Sequence, residues 1–225
     1  SDPLNFRPIC LLEATYKLFS SMIEAKLMEH VVANDILVEE QFGFRKEHSL
    51  MQNILALRSI TENANMMDRE LHILSLDFVK AFDSVEKWLI TRTLRYYGVA
   101  EHLIGLIEML YTGNKAILIT PLGRSQWKIE LSRGVRQGDV LSPLLFILVV
   151  NPLLQKVKQE GLGYSLTEEI HISDMAYADD ITLITEGHDK LQYMVNNYVV
   201  PYCEYTGMDL IRENGKTKTR YIMRR

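Results

Sequence analysis

At 225 residues, 47% of them apolar, the chain is long enough to bury a substantial core as one domain or two small lobes. Charged residues make up 24%, a share that argues against wholesale disorder. The net charge of −4 argues against a surface coated in positive charge, but residues 212–225 alone carry +5 and leave −9 on the other 211, so a nucleic acid would have to be held by local basic stripes.

In chain order, the apolar spacing predicts a helix over 13–33 with Leu18, Met22, Ala25 and Met28 on one face. "QFGFRK" at 41–46 reads as a short loop or strand, and 49–66 as a second amphipathic helix. "ELHILSLD" at 70–77 is apolar nearly throughout, the pattern of a strand buried on both faces. Residues 85–98 and 101–113 read as helices that each stop at a glycine. Segments 115–120 and 126–131 flank "PLGRS" and read as a hairpin. Residues 138–159 form a loop and a very apolar helix with Pro143 in its first turn. A second hairpin over 170–184, a helix over 188–206 and a strand over 218–224 complete an α+β layout, with helices on a mostly antiparallel sheet.

Two cysteines, Cys10 and Cys203, show neither metal-site spacing nor a disulfide framework, the usage of a reducing compartment. The first residues do not read as a signal peptide, so none is expected. The longest apolar stretch, Leu141 to Leu154, is interrupted by Pro143, Asn151 and Pro152 and reads as too short for a bilayer. The expectation is an intracellular protein of cytoplasm and nucleus with no membrane partner.

Two sets of carboxylates stand out. Asp77 closes the buried strand, with Asp83 six residues on. Asp179 and Asp180 sit at a hairpin turn inside the apolar run "AYADDITLI". An isolated Asp pair in a turn usually just bonds the backbone nearby. Here the flanks are strongly apolar and a second strand-end Asp lies upstream. If the strand over 71–77 lies beside the hairpin, Asp77 and Asp179 meet at one sheet end. Carboxylates converging there suit Mg²⁺. Two such ions about 3.5–4 Å apart support phosphoryl transfer.

Six blocks, in order, then resemble a known family. They are "NFRPICLLEATYKLFSSMIEAKL" at 5–27, "EEQFGFRK" at 39–46, "LSLDFVKAFDSV" at 74–85, "RGVRQGDVLSPLLF" at 133–146, "MAYADDITLI" at 175–184 and "GMDLIRENGKTK" at 207–218. The chain resembles the fingers and palm of a reverse transcriptase, most of all those of non-LTR (LINE-like) retrotransposons. The resemblance implies a right-hand polymerase fold with an antiparallel palm sheet backed by helices. Residues 1–70 would be fingers-like and 71–225 palm, the two intermixing near 85–135. It implies RNA-templated DNA synthesis from dNTPs on a DNA primer, with two Mg²⁺ ions (Mn²⁺ an alternative) as cofactors.

It also implies roles. Asp77, Asp179 and Asp180 would bind the metals, with the carbonyl of Phe78 as a further ligand. Phe82 would be the steric gate against a ribose 2′-OH. Gln137 and Gly138 would line the nucleotide and template pocket. Arg7 would grip the triphosphate, Arg45 would touch template backbone, and Lys216 would protonate the leaving pyrophosphate.

Four places depart from the family pattern. Glu47-His48-Ser49-Leu50 replaces the usual Gly-Arg-Ser-Thr, Lys87 a common His and Val140 a usual Pro, and the spacing before Lys216 is long. After "RYIMRR" the family continues into a primer grip and a helical thumb. The chain therefore reads as a piece of a longer polyprotein without thumb, endonuclease or RNase H. The alternatives are an inactive or co-opted RNA-binding relic and an RNA-templated RNA polymerase, against which Phe82 and the YADD turn argue.

Overall fold

A computed structural model describes residues 9–120 and 123–210, and beyond them the backbone of 212–213, 216–217 and 220–224. The elements run α1 (Ala14–Ala33), α2 (Leu50–Met66), β1 (Leu71–Leu76), α3 (Ala81–Ser84), α4 (Lys87–Tyr96), α5 (Glu101–Tyr111), β2 (Lys115–Thr120), β3 (Gly123–Glu130) and α6 (Leu141–Gln159). Then follow β4 (Tyr164–Ser165), β5 (His171–Ile172), β6 (Asp174–Tyr177), β7 (Asp180–Thr185), α7 (His188–Met194), α8 (Val200–Thr206), β8 (Arg212–Glu213), β9 (Lys216–Thr217) and β10 (Arg220–Arg224). A π-helical turn, Val195–Val199, joins α7 to α8, so the helix expected over 188–206 is continuous but locally widened to i→i+5 bonding.

The central sheet has strand order β10-β1-β7-β6, and every neighbouring pair is antiparallel. Its two faces bury different residues of the same strands. Leu74, Leu76, Ile181, Leu183 and Ala176 face the main core under α6. Leu71, Ile73, Ile184 and Met175 face a smaller cluster with Ile60 and Ala64 of α2 and with Tyr164. Burial on both faces is why β1 carries apolar residues in succession instead of alternating.

α6 is the spine of the main core, and Leu144 through Val150 are all buried. The helix extends past the apolar run that ends at Leu154, and at 19 residues it is long and apolar enough to cross a bilayer by length and composition. Most of its side chains are used inside the fold. Asn151 is buried with them: Nδ2 donates to the Ile36 carbonyl and the Tyr97 hydroxyl, both at 2.8 Å, and Oδ1 accepts from Val38 N at 3.0 Å. A buried amide so satisfied fixes the segment 36–38 against α6.

α1 corrects the expected face. Ser20, Ile23, Leu27 and Val31 point inward, whereas Leu18, Met22 and Ala25 are exposed and Met28 is half-buried. The helix carries apolar residues nearly all round, so spacing alone could not choose a side. The inward face packs Ile23, Leu27 and Val31 into the core and places Ser20 Oγ where it donates to the buried Asp139 carboxylate.

The helix expected over 85–98 is α4, beginning at Lys87, and a separate short helix, α3, precedes it across Val85 and Glu86 in extended conformation. The segment 41–46 is a loop, with a single bridge from Gln41 to Ala176. α2 begins in the run that departs from the pattern of the family the sequence resembles. Ser49 Oγ accepts from Gln52 N at 3.3 Å and Gln52 Oε1 accepts from Ser49 N at 2.7 Å, a complete capping box.

Asp174 of β6 is fully buried. Ser173 Oγ donates to its Oδ1 at 2.8 Å, and its Oδ2 has no hydrogen-bond partner among the described residues. Burial pushes its carboxyl up to about 7, with Glu40 adding to the rise and Ser173 and Lys158 opposing it. An acid whose folded pKa lies above its unfolded value of 3.8 weakens the fold progressively as pH climbs from that value to about 7. Asp174→Asn removes this slope. Urea unfolding at pH 5 and pH 8 should show the variant gaining on the parent by about 1–2 kcal/mol more at pH 8. An equal difference at both pH values contradicts the assignment.

Candidate active site

The β1–β7 register brings the expected carboxylates together. Its last pair is Leu76 with Ile181, and one step further places Asp77 opposite Asp180. The β6–β7 hairpin closes on the pair Tyr177–Asp180, so Ala178 and Asp179 form its two-residue tip. All three carboxylates therefore sit at one end of the sheet, with Asp77 and Asp180 exposed and Asp179 half-buried.

The chain beyond Asp77 is pinned at once. Phe78 is buried and bridges Leu210, and Val79 N donates to the Asp209 carbonyl at 2.7 Å. The turn that follows, α3, carries Phe82 and Asp83. Phe82 stacks on Phe146 of α6, with centroids 4.6 Å apart and planes 9° from parallel. Phe44 meets its edge at 6.3 Å. The ring expected to be a gate is thus fixed from below by the core and flanked by the loop over residues 40–46.

Gln137 and Gly138 lie over α3. Gln137 Nε2 donates to both Asp83 carboxylate oxygens, at 3.2 and 3.4 Å. Its carbonyl accepts from Cys10 N at 2.9 Å. Gly138 has φ +104°, and a Cβ there would come within 3.1 Å of the Cys10 carbonyl. A side chain at this position would therefore crowd the segment before α1.

Beneath that loop is a buried polar network that sequence reasoning missed. Arg136 donates to the Leu110 carbonyl at 2.6 Å and to the Tyr16 hydroxyl. Its guanidinium lies 4.8 Å from the Tyr16 ring centre and 5.2 Å from that of Tyr111. The Tyr16 hydroxyl donates in turn to Asp139 at 2.9 Å, and Ser20 donates to the same carboxylate. Burial, with the Asp139 charge beside it, pushes the Tyr16 hydroxyl well above its ordinary value and keeps it a donor. Arg136 and Asp139 flank Gln137-Gly138 on either side, so the network fixes this loop between α1 and α5. Its members are far apart in sequence, and only the position of Asp139 beside the Gln-Gly pair could have drawn attention to it.

The remaining expected residues are placed as follows. Arg45 Nη1 donates to the carbonyls of Val38 at 2.7 Å and Gln41 at 3.2 Å, so this part of the guanidinium braces its own loop. Arg7 lies outside the described residues. Lys216 is in β9, whose backbone pairs with β8, and its side chain lies outside the described residues. Lys87, in place of the family's His, donates to the Leu131 carbonyl at 2.5 Å and ties α4 to the pocket loop.

The donor set suits Mg²⁺ by its chemistry, since three carboxylates and a main-chain carbonyl are hard oxygen donors. Among the described residues no three His, Cys, Asp or Glu side chains are closed around one point. Sharing an ion therefore requires these accessible carboxylates to rotate toward one another.

The model of the family described as "Reverse transcriptase (RNA-dependent DNA polymerase)" matches residues 2–212. The chain belongs to the reverse transcriptase family. It is 32% identical over 191 residues to a retrovirus-related Pol polyprotein from the type-1 retrotransposable element R2 of Nasonia vitripennis, covering 85% of this chain and 18% of that protein. It is 31% identical over 210 residues to the corresponding R2 polyprotein of Popillia japonica, covering 93% and 29%. The relatives are non-LTR retrotransposon polyproteins, and this reverse transcriptase domain spans less than a third of either one's length. Among solved structures, telomerase from Candida tropicalis in complex with a fragment of telomeric RNA superposes with a TM-score of 0.58 at 11% identity, over 92% of this chain and 33% of that one. That likeness concerns the fold, and it agrees with an α+β polymerase fingers and palm.

The Tyr16 hydroxyl is the link between two buried charges, so Tyr16→Phe should destabilise the domain by about 1–3 kcal/mol in urea unfolding. Ser20→Ala, which leaves that link in place, should have the smaller effect. The reverse order of the two variants is the contrary result.

Proposed function

We propose that the domain catalyses RNA-templated DNA synthesis. The oxygen of a primer 3′-OH attacks the α-phosphorus of a dNTP, a new O–P bond forms, and the bond to the β-phosphate breaks to release pyrophosphate. The observation that supports this most is the β1–β7–β6 register, which gathers Asp77, Asp179 and Asp180 at one sheet end in a chain of this family.

Asp77 and Asp179 would be the principal ligands of two Mg²⁺ or Mn²⁺ ions, helped by Asp180 and the Phe78 carbonyl. Such ions, when bound, neutralise the charge that develops on the attacking and leaving oxygens. The chain's own residues do the positioning. Phe82, clamped by Phe146 and Phe44, offers a fixed wall where a 2′-OH would project. Gln137, oriented by Asp83, and Gly138 would line the side where template and nucleotide meet. Arg7 and Lys216 would act on the triphosphate and the departing pyrophosphate, and the free edges of the Arg45 guanidinium on template backbone. RNA template, DNA primer and dNTP are the proposed ligands, and the remainder of an R2-like polyprotein is the proposed context, inside the cell.

Primer extension on an RNA template, by this chain and by the longer polyprotein containing it, tests the reading. Asp179→Asn should lower the rate by about a thousand-fold or more. A longer protein that binds RNA yet never extends a primer identifies a relic instead. Phe82→Ala should raise rNTP use relative to dNTP by at least about ten-fold, because the wall that excludes the hydroxyl is gone. Wild-type preference for rNTPs sinks the DNA polymerase assignment.

A further inference from the structure

The tip of the carboxylate hairpin is strained. Ala178, its first residue, has φ +60°, a left-handed conformation that glycine adopts freely and alanine does not. Such a conformation persists only where the surroundings over-determine it, and it then places whatever comes next. What comes next is Asp179 and Asp180.

The surroundings are one side chain and one loop. Gln41 is a polar residue with 0% exposure. Its Oε1 accepts from Ala178 N at 3.0 Å and from Gly43 N at 2.8 Å, while its Nε2 reaches the Ala178 carbonyl at 3.4 Å. One amide thus holds both backbone groups of the strained residue. The loop that carries it is laid along the free edge of β6. Ala176 N donates to the Glu40 carbonyl and Phe42 N to the Ala176 carbonyl, both at 2.8 Å. Arg45 closes the loop through the Val38 and Gln41 carbonyls, and Lys158 of α6 holds Glu40 at 2.8 Å. Gly43 completes the fit, since a Cβ there would collide with the Ala178 backbone nitrogen.

We propose that Gln41 is a positioning residue for the metal-binding turn: its buried side-chain amide holds Ala178 in the left-handed conformation and so sets where the Asp179 and Asp180 carboxylates stand. A side chain with both a donor and an acceptor is needed, because Ala178 presents one of each. The proposal rests on the polymerase reading for its catalytic consequence, but the geometry it concerns is readable without turnover.

The test is a rescue experiment with Gln41→Ala, Ala178→Gly and the double variant. Each is assayed for Mn²⁺ binding by electron paramagnetic resonance, for thermal unfolding, and for primer extension in the longer polyprotein. Gln41→Ala should weaken Mn²⁺ binding and lower kcat by about 10- to 100-fold, the range seen when a ligand's supporting group is lost, with KM for dNTP nearly unchanged. Glycine needs no clamp to adopt φ +60°, so Ala178→Gly in the Gln41→Ala background should restore both to within a few-fold of the parent. A Gln41 that merely stabilises the loop would not be rescued this way, because the lost loop contacts stay lost. Unchanged Mn²⁺ binding in Gln41→Ala, or a double variant no better than the single one, overturns the proposal. Should the parent bind Mn²⁺ but extend no primer, the polymerase reading fails, and the Mn²⁺ comparison still decides the role of Gln41.

Discussion

The pairing of β1 with β7 is the constraint on which the rest depends. A strand slipped by one residue turns every side chain to the other face. Here such a slip would exchange Leu74 and Leu76, which belong under α6, with Leu71 and Ile73, which belong under α2. Both faces are buried, so both clusters oppose it. The same register decides that Asp77 arrives beside Asp180, not one residue short of it on the buried side. The position of the carboxylates is thereby tied to the stability of the whole core, far beyond what a surface loop could supply.

Around that fixed sheet end, two neighbouring segments supply precision. The loop over 40–46 wraps the β6 edge and grips the hairpin tip through Gln41. The pocket loop is held from beneath by Arg136, Tyr16 and Asp139 and from the side by Cys10. Phe82 stands between the two, stacked on Phe146 and touched by Phe44. Residues that come before the sheet in sequence therefore help to build its carboxylate end.

What was legible in the sequence was local or strongly patterned. β1, the long helix α6 and the YADD hairpin declare themselves through unbroken apolar runs and a two-residue turn. The carboxylates were legible because polar residues in such runs are conspicuous. What was hidden depended on long-range partners. The inward face of α1 includes Ser20, whose partner Asp139 lies over a hundred positions away, on a helix whose apolar residues surround it. Gln41 looked like one polar residue in a loop, because its partner, Ala178, gives no sign in sequence of its left-handed backbone. Glu47, His48 and Leu50 drew attention as departures from the family pattern, while Ser49 between them caps α2 with Gln52.

The central claim is that Asp77 and the Asp179–Asp180 turn share divalent ions at the end of the sheet. A crystal of this domain soaked in Mn²⁺, with anomalous scattering recorded at the manganese edge, addresses it directly. The account predicts a peak within about 2–2.3 Å of carboxylate oxygens of both Asp77 and Asp179. Manganese bound elsewhere, or to one of the two aspartates alone, would contradict it.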